Sequence, residues 1–284
     1  MLRLILLVLR RHCLLILTFA MIPMAATADI VGAVNAARLH DCRANPNTTP
    51  KLRENSRLDE AARRLSFGET LQNAAKKAGY RSVTSASMQI SNVPDDREVE
   101  RIVAHQFCAQ ITEPDLRDIG TYRRGPDVWL MVASPFTPPA PADRQAISRR
   151  VLDLTNQARA HARHCGSEAF PAAPPLVLAP PALERAAAEH SQDMANHNYM
   201  DHTGRDGSTP ADRVTRTGYK WRAIGENLAS GVLTPEDAVN GWVGSPHHCE
   251  NLMSARFTQM SVAYAVNASS NGGIYWTQLF GTPR

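Results

Sequence analysis

Three polar clusters near the C-terminus hold side chains able to do chemistry. They are Asn198-Tyr-Met-Asp-His202-Thr-Gly, Gly225-Glu226-Asn227 and Ser245-Pro-His247-His248-Cys249. Two neutral imidazoles and a carboxylate around an open position suit Zn²⁺ or a similar ion. Without metal, the same groups share protons or orient a polar ligand. None of the clusters is a standard signature: the chain has no His-Glu-x-x-His, Gly-x-Ser-x-Gly, glycine-rich phosphate loop or Cys-x-x-Cys. Spacing alone leaves His202, Glu226 and His248 scattered, and scattered His and Glu are more often satisfied surface or core groups than ligands.

The elements that must position these residues can be read around them. Ile147, Val151, Leu154 and Ala158 recur at helical spacing. Pro181 opens a second helix with Leu183, Ala187, His190 and Met194 on one stripe, which makes His190 a hydrogen-bonded core residue. Ser208-Thr209-Pro210-Ala-Asp212 starts a short helix that Gly218 can close with a left-handed cap. Thr234-Pro235-Glu236 starts another, carrying Val239, Trp242 and Val243. Strands follow over 257–266 and 274–280, and the turn residues Ser270-Asn271-Gly272-Gly273 make them a hairpin. Trp242 and Trp276 belong to the core, and His247 to solvent. Helices first and antiparallel strands last predict an α+β fold.

The 284 residues permit one large domain or two ordinary ones. With 43% apolar and 20% charged residues the chain is globular rather than disordered. Arg3, Arg10 and Arg11 precede an apolar run from Leu14 to Pro23, and Ala26-Thr27-Ala28 ends the segment. This is the pattern of a secretory signal peptide over 1–28, with an apolar run too short to span a bilayer comfortably; a retained N-terminal anchor is the alternative. The net charge of +4 falls to +1 without the three leader arginines, too little for a nucleic-acid partner. Cys13 leaves with the leader, so Cys42, Cys108, Cys165 and Cys249 enter an oxidising compartment, secreted or periplasmic, where an even count implies disulfides. No stable membrane span is expected after signal removal.

The Pro-rich stretch 135–141 reads as a semi-rigid linker, and the sequences on its two sides are alike. Val34-Asn35-Ala-Ala-Arg38 parallels Leu154-Thr-Asn156-Gln-Ala-Arg159, with Cys42 and Cys165 following. Leu58-Asp-Glu-Ala-Ala62 parallels Leu183-Glu-Arg-Ala-Ala187, and Gly79-Tyr80-Arg81 parallels Gly218-Tyr219-Lys220. His105-Gln-Phe-Cys108 parallels Pro246-His-His-Cys249. An internal duplication is the reading, with domains at 29–134 and 145–284 and the linker at 135–144. Of three possible cysteine pairings, only Cys42–Cys108 with Cys165–Cys249 repeats within each half. By the same alignment Ser87 and Met88 stand in the places of Glu226 and Asn227, and the stretch matching Asp201-His202 is missing from the first half, which is expected to be a degenerate copy.

In order and spacing, residues 147–283 resemble the bacterial branch of the CAP superfamily, which includes cysteine-rich secretory proteins, antigen 5 and pathogenesis-related 1 proteins. The resemblance rests on Ala187-Ala-Glu-His190-Ser191, Asp201-His202-Thr-Gly, Gly225-Glu226-Asn227, Gly241-Trp242, Ser245-Pro246-His247-His248-Cys249 and Tyr275-Trp276-Thr277-Gln278. It implies a three-layer α-β-α sandwich with a cleft lined by His and Glu. Carried over by motif, the cleft residues are His202, Glu226 and His248, with Ser245 lining the cleft beside them; the first three are the candidate metal ligands, with Glu226 as the candidate base. Animal and plant members place a second Glu where Ser245 stands and another His where Arg256 stands, so the family's full tetrad is absent. The alternative role for Glu226 is structural: a buried carboxylate accepting backbone N–H bonds from its loop.

The function expected from these residues is a secreted, non-enzymatic binding module. No cofactor is required, although the cleft could take Zn²⁺ or another divalent cation. The partner is an extracellular ligand, a peptide or a lipid. The alternatives are a metal-dependent hydrolase or peptidase, with Glu226 as base on a water held by His202 and His248, and lipid or sterol binding.

Overall fold

The computed structural model describes residues 29–42 and 49–284. The leader over 1–28, with Cys13, lies outside the described residues. Among the described residues no helix is long and apolar enough to cross a membrane.

Residues before the Pro-rich stretch form α1 (Ile30–Ala36), β1 (Arg53–Glu54), α2 (Ser56–Leu65), α3 (Leu71–Lys77), β2 (Ser82–Ile90), α4 (Asp96–Gln106), α5 (Cys108–Ile111), β3 (Asp118–Arg124) and β4 (Asp127–Pro135). Those after it form α6 (Arg144–Arg159), the small β5 (Arg163–Cys165) and β6 (Glu168–Phe170) ladder, β7 (Val177–Leu178), α7 (Pro181–His197), α8 (Pro210–Arg216), β8 (Trp221–Ser230), α9 (Pro235–Gly244), α10 (Pro246–Met253), β9 (Gln259–Val266) and β10 (Ile274–Pro283). The fold is α+β, as the order of patterns predicts.

Each half has one four-stranded sheet, ordered β1-β3-β4-β2 in the first and β7-β9-β10-β8 in the second. The two-residue edge strand is parallel to its neighbour in both, and the other pairs are antiparallel. Period-two alternation sends each sheet's side chains to two cores. On β9 and β10, Met260, Val262, Tyr264, Trp276 and Phe280 face α6, α9 and α10. Ala263 and Leu279 face α7 and α8 instead. On β4, Val128, Leu130 and Val132 face α1 and α4, while Met131 and Ala133 face α2 and α3. Both halves are thus three-layered.

The two halves repeat details that packing alone does not demand. Asn35 exchanges hydrogen bonds with the Leu52 backbone, and Asn156 does the same with Leu176. Arg38 donates to the carbonyls of Ile111, Glu113 and Leu116, and Arg159 to those of Pro174, Leu252 and Ser254. Burial pulls both guanidinium groups down to about 10, with Arg117 assisting at Arg38. Cys42 is bonded to Cys108 and Cys165 to Cys249, each pair with Cα atoms 5.4 Å apart.

The local signals act as read. Thr209 and Asp212 form a capping box at α8, and Gly218 follows that helix at φ +85°. Thr234 caps α9 through the Asp237 N–H. Trp242 and Trp276 are buried and donate to the Leu228 and Val232 carbonyls. The Pro-rich stretch departs from a semi-rigid linker. Its first residue still belongs to β4, Phe136 packs against the second half's core, and the Ala140 carbonyl accepts from Tyr264. Proline holds the segment extended without an N–H to satisfy, and Phe136 supplies the apolar surface that docks it.

Candidate functional site

Glu226 lies in the middle of β8, opposite Leu279 of β10. Its carboxylate is 2% exposed and both oxygens have side-chain partners. Oε1 accepts from His202 Nδ1 at 2.8 Å, and Oε2 accepts from Arg213 at 2.7 Å. The expected alternative of backbone N–H donors is therefore corrected. An imidazole and a guanidinium hold this carboxylate, because the 198–209 segment and α8 fold over the strand.

Arg213 is the residue that sequence reasoning missed. It is buried on α8, and it also donates to the carbonyls of His202 and Ser208. One guanidinium therefore fixes the carboxylate and both ends of the loop that carries His202. The sequence carried no separate signal for it: in this seven-residue helix Arg213 falls in the last turn, where a basic side chain is ordinary.

His202 is half-exposed, with Nδ1 turned to Glu226. The hydrogen bond to Glu226 raises its pKa above the ordinary imidazole value, and burial opposes this in part. The preceding residue is pinned as well: His190, which is buried, bonds through Nε2 to the Asp201 carbonyl at 2.9 Å. A carbonyl only accepts, so Nε2 carries the proton. Burial lowers the His190 pKa, which keeps this ring neutral. His190 is a hydrogen-bonded core residue, as its stripe position implies.

His248 reaches the site through α10. Asn227 is fully buried and donates to the His248 carbonyl and to Gln278; Asn251 donates to Asn227 and to the Glu226 carbonyl. Gln278 passes the chain to Thr155 on α6. The Cys165–Cys249 bond anchors the residue after His248. Burial lowers the His248 pKa, and the nearby His202 charge lowers it further. The two imidazoles are thus shifted in opposite directions, His202 toward its charged form and His248 toward its neutral one.

Ser245 sits at the corner between α9 and α10, and its side chain makes no cap bond. His247 is solvent-exposed, as expected, and Arg256 lies over the Phe257 ring. Among the described residues no three His, Cys, Asp or Glu side chains are placed to hold a metal ion.

The same stretch of chain is similar to known proteins. The family model described as the cysteine-rich secretory protein family, CAP, matches residues 152–280. YkwD of Bacillus subtilis is 27% identical over 254 residues, covering 88% of this chain and 92% of that protein. Among solved structures, an extracellular protein containing an SCP domain from Bacillus anthracis aligns at 20% identity and TM-score 0.41, over 75% of this chain and 71% of that one. An outer surface protein of Borrelia burgdorferi aligns at 21% identity and TM-score 0.39, over 51% of this chain and 96% of that one.

Proposed function

Because the chain belongs to the CAP superfamily through residues 152–280, we propose that it is an exported binding protein. Its second half, in this reading, presents a protonated His202 to an anionic or hydrogen-bond-accepting group of a small extracellular ligand. The observation that carries this is the hydrogen-bonded chain Arg213–Glu226–His202, in which the ion pair is buried and His202 reaches solvent. Glu226 spends both oxygens on protein partners, so its role is to orient His202 and hold its proton. His248 beside it stays neutral and offers an acceptor. A donor at His202 and an acceptor at His248, close enough for the charge of one to lower the pKa of the other, suit a polar ligand.

The three-residue Zn²⁺ set is incomplete in this arrangement: the Glu226 carboxylate is 2% exposed and accepts from both His202 and Arg213, so it serves those partners rather than a metal. Glu226 is equally unsuited to be a general base. The opposite shifts of the two imidazoles favour one second reading, a metal-free acid–base pair with His202 as acid and His248 as base.

Export through the leader over 1–28 completes the proposal, with 29–134 and 145–284 as domains joined by 135–144. The shared strand order, the Asn and Arg pairs and the matching disulfides support descent from a tandem duplication. The first half lost the site because only five residues separate α2 from α3, whereas the His202 loop fills the gap between α7 and α8.

Titrating the protein with acetate and with inorganic phosphate, observed at the imidazole resonances, tests the reading. A response at His202 that disappears in Glu226→Gln is expected. Silence at His202 with both anions would overturn it.

A further inference from the structure

The first half has lost the cleft residues, but its sheet has kept an open side. β2 is the edge strand of the order β1-β3-β4-β2. Over nine residues, Ser-Val-Thr-Ser-Ala-Ser-Met-Gln-Ile, it carries no charge and no proline. Natural edge strands are usually blunted by those two devices, since a free edge invites another strand. Its counterpart β8 packs against α8, α9 and α10 as well as β10, whereas β2 packs mainly on β4, with a smaller contact to α3. The difference follows from the four-residue α5 and the missing loop.

Two cavities lie along this edge and meet at Thr84. One, of about 370 Å³, includes Val83, Thr84, Ser134 and Arg117 with Val232 and Asp237 of the second half. The other, of about 240 Å³, includes Thr84, Ala86, Gln110 and Glu113. The β2–β4 register slips between Ser82 and Ser85, so Val83 and Thr84 fall out of the ladder, and Val83 is 53% exposed. Ser134, opposite that slip, is 5% exposed, and its Oγ has no hydrogen-bond partner among the described residues. A buried hydroxyl without a partner at the wall of a cavity is a ready contact for an incoming group.

Charge selects among possible occupants. Asp115, Asp237 and Glu113 line the two cavities. Arg117, the cation in this lining, is engaged with the carbonyls of Pro114 and Leu116. We infer that β2 is a docking edge for an extended basic peptide, which adds as a fifth strand and sets side chains into the two cavities. Backbone pairing supplies the affinity and the acidic rim the selectivity.

The test uses two synthetic six-residue peptides, one alternating lysine with valine and one alternating glutamate with valine. Binding is followed by calorimetry, and hydrogen exchange is followed at the amides of 82–90. The lysine peptide is expected to bind roughly tenfold or more tighter than the glutamate peptide and to protect β2 amides. The double variant Glu113→Gln/Asp115→Asn, which leaves Asp237, is expected to weaken that preference severalfold, and Val83→Lys, which adds an edge charge at an exposed site, to remove binding. His202→Ala is expected to leave the peptide untouched, which separates this inference from the cleft reading. Equal binding of the two peptides would overturn it. So would a dimer that forms through β2 and is lost in Val83→Lys, which would make a second copy the occupant.

Discussion

Arg213 on α8 and Glu226 on β8 form an ion pair at 2.7 Å, with side chains 7% and 2% exposed. A buried pair of this kind contributes little net stability over an apolar isostere, yet removing one partner strands the other charge. Glu226→Gln is therefore expected to destabilise the protein by about 3–5 kcal/mol, measured by denaturant unfolding. Arg213→Met/Glu226→Leu removes both charges and is expected to recover most of that loss. Similar unfolding midpoints for Glu226→Gln and wild type would show the pair to be solvated.

The two site imidazoles titrate apart. His202 is raised, chiefly by its hydrogen bond to Glu226, so the stability it contributes is fully present below about 6.5 and is lost as pH rises through its folded value. His248 is lowered by burial and then by the His202 charge, so its contribution is present above about 6.5 and is lost as pH falls through its folded value. An NMR titration is expected to find His202 above and His248 below the ordinary value. Glu226→Gln should bring His202 down. Coincident titration curves would count against the arrangement.

Metal binding follows from the same geometry. Calorimetry with Zn²⁺ on wild type and His202→Ala is expected to give the same result for both, because Glu226 is committed to Arg213. Tight binding in the wild type that disappears in His202→Ala would make His202 a ligand and would return Zn²⁺ to the site.

How much of this was legible depends on where each element gets its stability. α7, α8 and α9 announce themselves through Pro at their first positions and, for α8 and α9, a threonine cap, and the β9–β10 hairpin through its Asn-Gly-Gly turn. β8 could not be read, since Trp-Arg-Ala-Ile-Gly-Glu-Asn-Leu-Ala-Ser has little β-branching; its polar residues are satisfied by side chains distant in sequence. α10 is short, so its stripe of Cys249, Leu252 and Met253 spans little more than one turn, and the Asn227 network and a disulfide complete its anchoring. The pairing His202–Glu226 was suggested by motif resemblance, but Arg213 needed the fold, since only the path of 198–209 brings it under the carboxylate. The cysteine pairing was fully legible because both halves repeat it.

The Cys165–Cys249 bond closes a loop with a sequence separation of 84 and ties β5 to α10. The chain-entropy model assigns such a loop about 4.5 kcal/mol. Cys165→Ala/Cys249→Ala is expected to lose stability on that scale, and to broaden the His248 resonance, since α10 loses its anchor next to that residue. Peptide mass mapping without reduction should find Cys165 with Cys249 and Cys42 with Cys108; a free thiol at any of the four would contradict the pairing.

The two halves are latched by Arg81, the residue just before β2. Its guanidinium donates to the carbonyls of Ala268, Ser270 and Asn271 in the β9–β10 turn and lies 4.8 Å from the centre of the Phe136 ring. Gly273 is needed there twice over. Its φ is +74°, and an added Cβ would lie 2.6 Å from the guanidinium. The turn also reaches α7, where the Asn271 N–H donates to Asn198, the left-handed cap at φ 57°. Arg81→Ala removes charge-assisted bonds whose combined net worth is about 2 kcal/mol at this half-exposed site. Hydrogen exchange at the amides of 268–273 is expected to accelerate in Arg81→Ala and in Gly273→Ala. In the double variant the two effects should fall well short of additive, because both break the same contact. Full additivity would mean that Gly273 serves only its own backbone angle and that Arg81 holds the turn without it.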